Sequence, residues 1–413
     1  MAREYKDSGI EWIGRIPKEW KMQPLSIYFG ENSKPNFNLD SINALQFKYG
    51  EIIQKPTNGR ELNDKDFELL SKYTMVAPND IVVNGLNLNY DLKSLRIARV
   101  REEGIITSAY IVLRPRNGAN SSFYNYYLKA LDFQKVFHGM GVGIRLTLSY
   151  NELRGMLLPV PSFEEQQRIA DYLDEKCGEI DSLISLQEQM IAQLTDYKQS
   201  VITEAVTKGL DPNAQLVPSG IDWIGDYPKH WDVIKIGFIF DNLDYLREPI
   251  SAELRERNNP IYDYYGASGV IDKIDHYNVN DKVLLIGEDG ANLVMRNLPL
   301  VYKAEGKFWV NNHAHILKPK HDDYDYMAHA LEAANYRNYI TGSAQPKLSQ
   351  ENLQAVKLPV PPINEQRRIA DYLNNKCAEI DALIALKQKK IETLKDYKKS
   401  LIYECVTGKI EVV

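Results

Sequence analysis

Residues 158–207 read LPVPSFEEQQRIADYLDEKCGEIDSLISLQEQMIAQLTDYKQSVITEAVT, and residues 358–407 read LPVPPINEQRRIADYLNNKCAEIDALIALKQKKIETLKDYKKSLIYECVT. Most positions are identical, without a gap, at a displacement of 200 residues. A second echo opens each half: residues 9–20 are GIEWIGRIPKEW and residues 220–231 are GIDWIGDYPKHW, displaced by 211. Self-similarity at a fixed spacing outranks every other signal in a chain of this length. The segments between, about 21–157 and 232–357, share far less. A frame kept twice while its inserts diverge is the pattern expected when the frame meets one constant partner and each insert meets its own target.

Each frame begins with prolines, Pro159 and Pro161 or Pro359, Pro361 and Pro362, which hold the chain extended and end the strand before them. A long helix is predicted next. Ser162 is the cap expected for the first, with Glu165 completing a capping box, and Asn364 is the weaker candidate for the second. Apolar residues then recur in heptad steps: Leu173, Cys177, Ile180, Ile184, Ile191, Leu194, Val201 and Ala205, and in the second copy Leu373, Cys377, Ile380, Ile384, Ile391, Leu394, Leu401 and Cys405. Gln187, Lys198, Lys387 and Lys398 are the polar breaks in these seams. A run of about 43 residues makes a helix of roughly 65 Å. So long and exposed a helix needs a partner along its stripe, and the nearest is its own repeat, packed antiparallel. Leu183, Leu186 and Tyr197, with Leu383, Leu386 and Tyr397, widen the stripe and leave surface for another protein.

The inserts read as strands mixed with short helices. Strands are expected at 80–84 and 109–113 in the first, with a tyrosine-rich helix over 123–137. In the second, strands are expected at 282–286 and 313–318 and a helix over 326–339. Each insert then turns, at 139–145 or 342–347, and re-enters the frame at Leu148-Ser149 or Leu348-Ser349.

The formal net charge of −6 argues against a free-standing, non-specific nucleic-acid binder and requires any such contact to use local patches or a partner's positive surface. Three cysteines, Cys177, Cys377 and Cys405, make no disulfide framework and lack zinc spacing, so they read as buried small apolar residues. The longest apolar runs are strand-sized and the start lacks a signal-peptide core, which gives the expectation of a cytoplasmic protein with no membrane association.

Catalytic signatures are missing: no P-loop, HExxH, GxSxG or Asn-Pro-Pro-Tyr-like motif occurs. The run Gly139-Met140-Gly141-Val142-Gly143 follows a helix rather than a strand and is not repeated, so it reads as a turn needing positive φ or close backbone approach. His313 and His315, alternating on a predicted strand, present two rings but no third metal ligand; a polar strand face or a base-reading edge is the other reading. Neither an enzyme nor a cofactor or metal protein is expected. Base edges are read by Arg, Lys, Asn and Gln on loops, and phosphates are met by Lys, Arg, Ser, Thr and Tyr. Asn84, Asn87, Asn89, Tyr90, Lys93 and Arg96 form such a cluster in the first insert, with Arg145 on the glycine turn. The second insert offers Asn292, Asn312 and His313, and at its turn Ser343, Gln345 and Lys347, with Gln345 aligned on Arg145.

With those residues in view, the chain resembles the specificity subunit of type I restriction–modification systems. The resemblance rests on the paired GI(E/D)WIG…P-K-x-W openings, the LPVP…EQxRIADYL…K-C…EID…LI frames and the two divergent inserts, and it spans nearly the whole length. It implies an α+β fold in which two globular target recognition domains are joined by two long helices forming an antiparallel coiled coil, with an internal pseudo-two-fold repeat. The opening segment would be 1–20, recognition domain one 21–157, the first conserved helix 158–208, a linker with the repeated opening 209–231, recognition domain two 232–357, and the second helix with its tail 358–413. The resemblance also implies that each recognition domain reads one half of a bipartite double-stranded DNA target. The helices would act as spacer and dock two methyltransferase (modification) subunits, which carry S-adenosylmethionine, with restriction and motor subunits joining the full complex.

Overall fold

The computed structural model describes residues 3–48, 50–56, 62–89, 95–143, 146–255, 260–342 and 346–412. The chain divides into two compact units, 1–187 with 389–413 and 188–388. Each unit therefore holds one insert, one opening segment and a part of each of the two long helices, Phe163–Lys208 and Ile363–Val406. The mixture of helix and sheet, the repeat and the long helices are those expected from the sequence.

In the first unit the opening segment is a hairpin, Tyr5–Asp7 against Arg15–Pro17. Lys21–Pro24 then pairs antiparallel with Leu157–Val160, so the chain enters and leaves the insert through one pair of strands. Inside lies a four-stranded antiparallel sheet in the order Phe29–Glu31, Ile111–Pro115, Ile81–Val83, Ile97–Arg99. Ser121–Phe133 packs on it, capped by the Asn120 side chain, which accepts from the N–H groups of Ser122 and Phe123. This helix buries Phe123, Tyr124, Tyr127, Leu128 and Leu131, and stops four residues before the expected end; Lys135 adopts φ 61° and a 3₁₀ turn follows.

Frame and insert are tied by side chains from the repeated motif. Gln166 is buried; its Oε1 accepts from the Asn120 N–H at 3.1 Å and its Nε2 donates to the Pro161 carbonyl at 3.1 Å. Ser162 caps the long helix, accepting from the Glu165 N–H at 3.2 Å. The expected capping box does not close, because the Glu165 carboxylate is taken by Arg3 at 2.6 Å and by the indole of Trp20. The end of the second long helix lies antiparallel along the first within this unit: Lys398 meets Asp181 at 2.6 Å, and Cys405 lies within electrostatic reach of Cys177. That end is fastened to the opening hairpin, where Tyr403 Oη donates to the Trp12 carbonyl at 2.8 Å and Lys409 Nζ to that of Ile13 at 2.9 Å. Gly408, at φ +71°, lets the chain pass there, since a Cβ would sit 2.5 Å from Pro17.

The second unit repeats the frame around a different sheet. Its hairpin pairs Leu216–Pro218 with Asp226–Pro228, and its insert opens and closes on Asp232–Lys235 against Lys357–Val360. The sheet has six strands, ordered Phe240–Asn242, Ala314–Pro319, Val279–Gly287, Val301–Val310, Tyr262–Gly266, Gly269–Ile274. One pairing is parallel, Tyr262–Gly266 with Val301–Val310. Alternation divides its core: Leu284, Ile286 and Leu317 face the helix Tyr324–Ala333 and the frame, while Val283, Leu285 and Ile316 face the opposite cluster. That helix is capped by Asp323, whose own N–H is accepted by the buried Gln366, which donates in turn to the Pro361 carbonyl. Asn364 is not the cap, because the second long helix already begins at Ile363. The two long helices again run antiparallel here, with Lys198 on Asp381 at 2.7 Å and Lys387 against Met190.

Along the seams Leu173, Cys177, Ile180, Ile184, Leu373, Cys377, Ile380 and Ile391 are buried, and Ile191, Leu194, Ile384 and Leu394 are half-buried. Gln187, expected as a polar break, is itself buried. No helix of the described residues is long and apolar enough to cross a membrane.

Candidate nucleic-acid interface

Both inserts build the same device at the end of a central strand. In the first unit the strand Ile81–Val83 runs into the loop 84–89, and the turn that re-enters the frame lies against this loop. Leu148 N–H donates to the Gly85 carbonyl at 2.9 Å and Leu88 N–H to that of Leu146 at 3.3 Å. Glycine is needed for this approach: a Cβ on Gly85 would meet the Leu148 oxygen at 2.5 Å, and one on Gly141 would meet Leu88 at 2.8 Å and Leu146 at 2.9 Å. In the run from Gly139 to Gly143, Gly141 is thus required by close approach and Gly143 by its φ of +81°. In the second unit Val279–Gly287 runs into Glu288-Asp289-Gly290. There Leu348 N–H donates to the Glu288 carbonyl at 2.9 Å and Gly290 N–H to that of Pro346 at 2.8 Å.

What these paired loops present differs. Asn87, at φ 52°, and Asn89 are exposed on the first, and Asn84 is half-buried, its Oδ1 accepting from the Leu86 N–H. Arg96 requires a correction. It is 1% exposed, and its Nη1 donates to the carbonyls of Asn84 at 3.1 Å and Leu86 at 2.8 Å. Its backbone N–H binds the Asp132 carboxylate at 2.7 Å, a group whose pKa burial raises. Arg96 shapes the loop from beneath and presents nothing to a duplex. Tyr90, Lys93 and Arg145 lie outside the described residues.

On the second device Asn312 is exposed and His313 half-exposed, with Nδ1 3.7 Å from Asp289. Lys347 reaches Glu288 at 3.1 Å, and Arg247 reaches the same carboxylate at 3.1 Å. Asn292 turns inward: its side chain bonds Leu298 and the Pro299 carbonyl, closing the turn after Gly290–Met295. Ser343 and Gln345 lie outside the described residues. The two histidines do not share a face. The strand starts at Ala314, so His313 stays on the loop while His315 points into the core, 1% exposed, bonded to Asp244 and the Leu348 carbonyl. No group of three metal-ligating side chains occurs among the described residues.

Arg247, Glu288 and Asp244 were not singled out from the sequence. Glu288, directly after a strand, was the one visible signal; the others come from 41 and 44 residues away.

A duplicated frame that offers two differently furnished loop pairs defines a two-module recognition protein. The family described as type I restriction modification DNA specificity domain matches residues 45–196 and 228–396, and the chain belongs to that family. Its role is that of a specificity subunit, recognition of DNA sequence. The MjaX specificity subunit of Methanocaldococcus jannaschii is 24% identical over 445 residues, covering 100% of this chain and 99% of that one. The MjaVIII specificity subunit of the same organism is 22% identical, covering 96% and 94%. The Escherichia coli EcoprrI specificity subunit is 32% identical over 133 residues, 30% of this chain and 32% of its own. A solved structure concerned with complex assembly and conformational transition of the type I R-M system shares the fold, at TM-score 0.71 and 15% identity, covering 96% of this chain and 99% of that one.

Proposed function

We propose that each insert reads one half of a bipartite duplex target through its paired loops, and that the chain itself performs no chemistry. The observation that carries this is the loop-and-turn device, built twice around the equivalent Leu148–Gly85 and Leu348–Glu288 backbone bonds and furnished once with asparagines, once with a Glu288–Arg247–Lys347 cluster and His313. Equal scaffolds with unlike side chains are what two different base sequences require. Asn84, Asn87 and Asn89 on one side, and Asn312, His313 and Lys347 on the other, are the proposed contacts among the described residues.

The long helices serve as spacer between the half-sites and as the dock for two methyltransferase subunits, with restriction and motor subunits completing the assembly. Leu183, Leu186 and Tyr197, and their counterparts Leu383, Leu386 and Tyr397, support this, being 43–64% exposed. Modification chemistry would reside in those partners.

The test is a methylome. The chain is expressed with its modification subunit in a host free of methylation, and modified bases are mapped by single-molecule sequencing. A split motif with a fixed gap, present only when this chain is present, is the expected result. A continuous motif, or methylation independent of this chain, would overturn the proposal.

A further inference from the structure

We propose that the first unit carries a pocket for a phosphate-type oxyanion, walled by Arg99, Arg101 and Lys129 and separate from the loops that read bases. The pocket is a cavity of about 250 Å³ lined from the strand Ile97–Arg99, the hairpin arm Glu51–Gln54, the helix Ser121–Phe133 and the first long helix. That is below the roughly 300–1,000 Å³ of sites for drug-sized molecules and suits a small ion. It is not part of the recognition device. The strand Ile81–Val83 runs into the loop 84–89 from Val83, whereas Arg99 pairs with Ile81 at the other end.

Periodicity gathers the lining groups. The chain stays extended past Arg99, where the Val100 N–H donates to the Asp80 carbonyl at 2.8 Å. Val100 buries in the core on one side, so Arg99 and Arg101 emerge together on the other. On the helix, Ser122, Asn125, Tyr126 and Lys129 follow at helical spacing along the cavity. Gly50, at φ +77°, lets the hairpin close against Leu95, whose side chain a Cβ would meet at 2.8 Å.

Charge left uncompensated is what calls for an anion. Lys129 is half-buried and makes no hydrogen bond or ion pair among the described residues. Burial lowers its pKa, and Lys398 and Arg101 act the same way; Glu51 and Cys177 oppose them without cancelling. Arg101 is exposed and likewise unpaired among the described residues. Arg99 donates to the Ser122 hydroxyl. Of the carboxylates nearby, Asp174 accepts from Tyr126 Oη at 2.7 Å and Asp181 holds Lys398 at 2.6 Å. Asn125 is 8% exposed, and its Oδ1 is buried without a hydrogen-bond partner. A tetrahedral oxyanion offers acceptors to the ammonium, the guanidinium groups and this amide.

The second unit closes the same place with its own residues. Counted from the helix caps Asn120 and Asp323, Ser122 corresponds to Asp325 and Lys129 to Glu332. Glu332 accepts from the N–H groups of Leu300 and Val301 at 2.9 Å, and Asp325 pairs with Lys303 at 2.6 Å. A carboxylate satisfied by backbone thus stands where the first unit has a lysine without a partner.

The experiment titrates the full chain with sodium phosphate, against sodium chloride at equal ionic strength, by calorimetry. One site per chain is expected, with a dissociation constant of about 1 mM or tighter. Lys129→Met and Arg101→Gln should each weaken it about tenfold. Lys72→Gln, at an exposed pair with Glu68, should leave it unchanged. Arg101 is exposed, so its variant tests the site even where Lys129→Met fails to fold. Lysine acylation read by peptide mass spectrometry gives a second readout: phosphate should protect Lys129 and leave Lys72 reactive. A duplex of scrambled sequence distinguishes the sources of the ion. Displacement of phosphate by the duplex assigns the pocket to a backbone phosphate, and retention assigns it to free phosphate. No saturable binding beyond chloride, a site unchanged in both variants, or Lys129 left unprotected overturns the pocket.

Discussion

The indole N–H of Trp20 lies 2.9 Å from the Glu165 carboxylate, and the same carboxylate holds Arg3 at 2.6 Å. Trp231 occupies the matching place in the second unit, yet its indole nitrogen has no hydrogen-bond partner among the described residues; Glu365 is bound by His230 instead. One frame motif therefore closes in two ways. Glu165→Ala leaves the buried indole N–H unpaired and the mostly buried Arg3 guanidinium with Glu19 as its remaining carboxylate, and should cost about 1–3 kcal/mol. Glu365→Ala loses a pair whose histidine is 55% exposed and should cost under about 1 kcal/mol. Urea unfolding of the two variants checks the asymmetry; equal losses would show that the Trp20 bond contributes nothing.

Asn87 stands on the loop that Arg96 supports from beneath, and the two should fail differently. Arg96→Ala removes the donor that gathers two loop carbonyls in a buried site, and should destabilise the first unit by about 2–3 kcal/mol and weaken binding to every sequence. Asn87→Asp keeps the left-handed conformation while replacing donors with a charge. It should leave thermal stability unchanged and cost about 1–3 kcal/mol at one half-site alone. The pair of readouts is a melting temperature and an affinity on scrambled half-sites. Sequence-selective loss in the Arg96 variant, at unchanged melting temperature, would make Arg96 a contact after all.

These two residues also mark what was legible in the sequence. The frame was legible because its signals are local: a repeat in register, heptad steps from Leu173 and Leu373, prolines before each helix. Arg96 read as a base contact because a cationic side chain among asparagines looks alike from above and below a loop, and Asp132, which fixes its backbone, is 36 residues away. His313 and His315 read as one face because alternation was counted from a strand start one residue too early. The parallel strand Tyr262–Gly266 left no periodic signature that distinguishes it from a loop, and its partner Val301–Val310 lies far along the chain. The local rules hold and the long-range pairings escape them.

The three thiols offer a pH prediction. Burial raises the pKa of Cys177 and Cys377, and burial, together with the nearby Glu404 and Cys177, pushes that of Cys405 up to about 12. A raised value means that the reactive thiolate is scarce at pH 8 in the folded protein. The native chain should react with an aromatic disulfide reagent far more slowly than free cysteine, and all three thiols should titrate at once in guanidinium. Rapid reaction of any one in the native state would show that the seam around it opens.

If the helices set the gap in the DNA target, their length should be written in base pairs. Phe163–Lys208 has 46 residues and Ile363–Val406 has 44, and neither contains a proline. Deleting one heptad from each, 187–193 and 387–393, preserves the seam's phase and removes about 10 Å of helix, close to three base pairs at 3.4 Å each. Unequal deletion would break the register of Lys198 with Asp381 and of Lys398 with Asp181, so both must be cut together. The methylome of the shortened chain should show the same two half-sites with a gap shorter by about three base pairs. An unchanged gap with intact half-sites would mean that the modification subunits, rather than these helices, measure the distance.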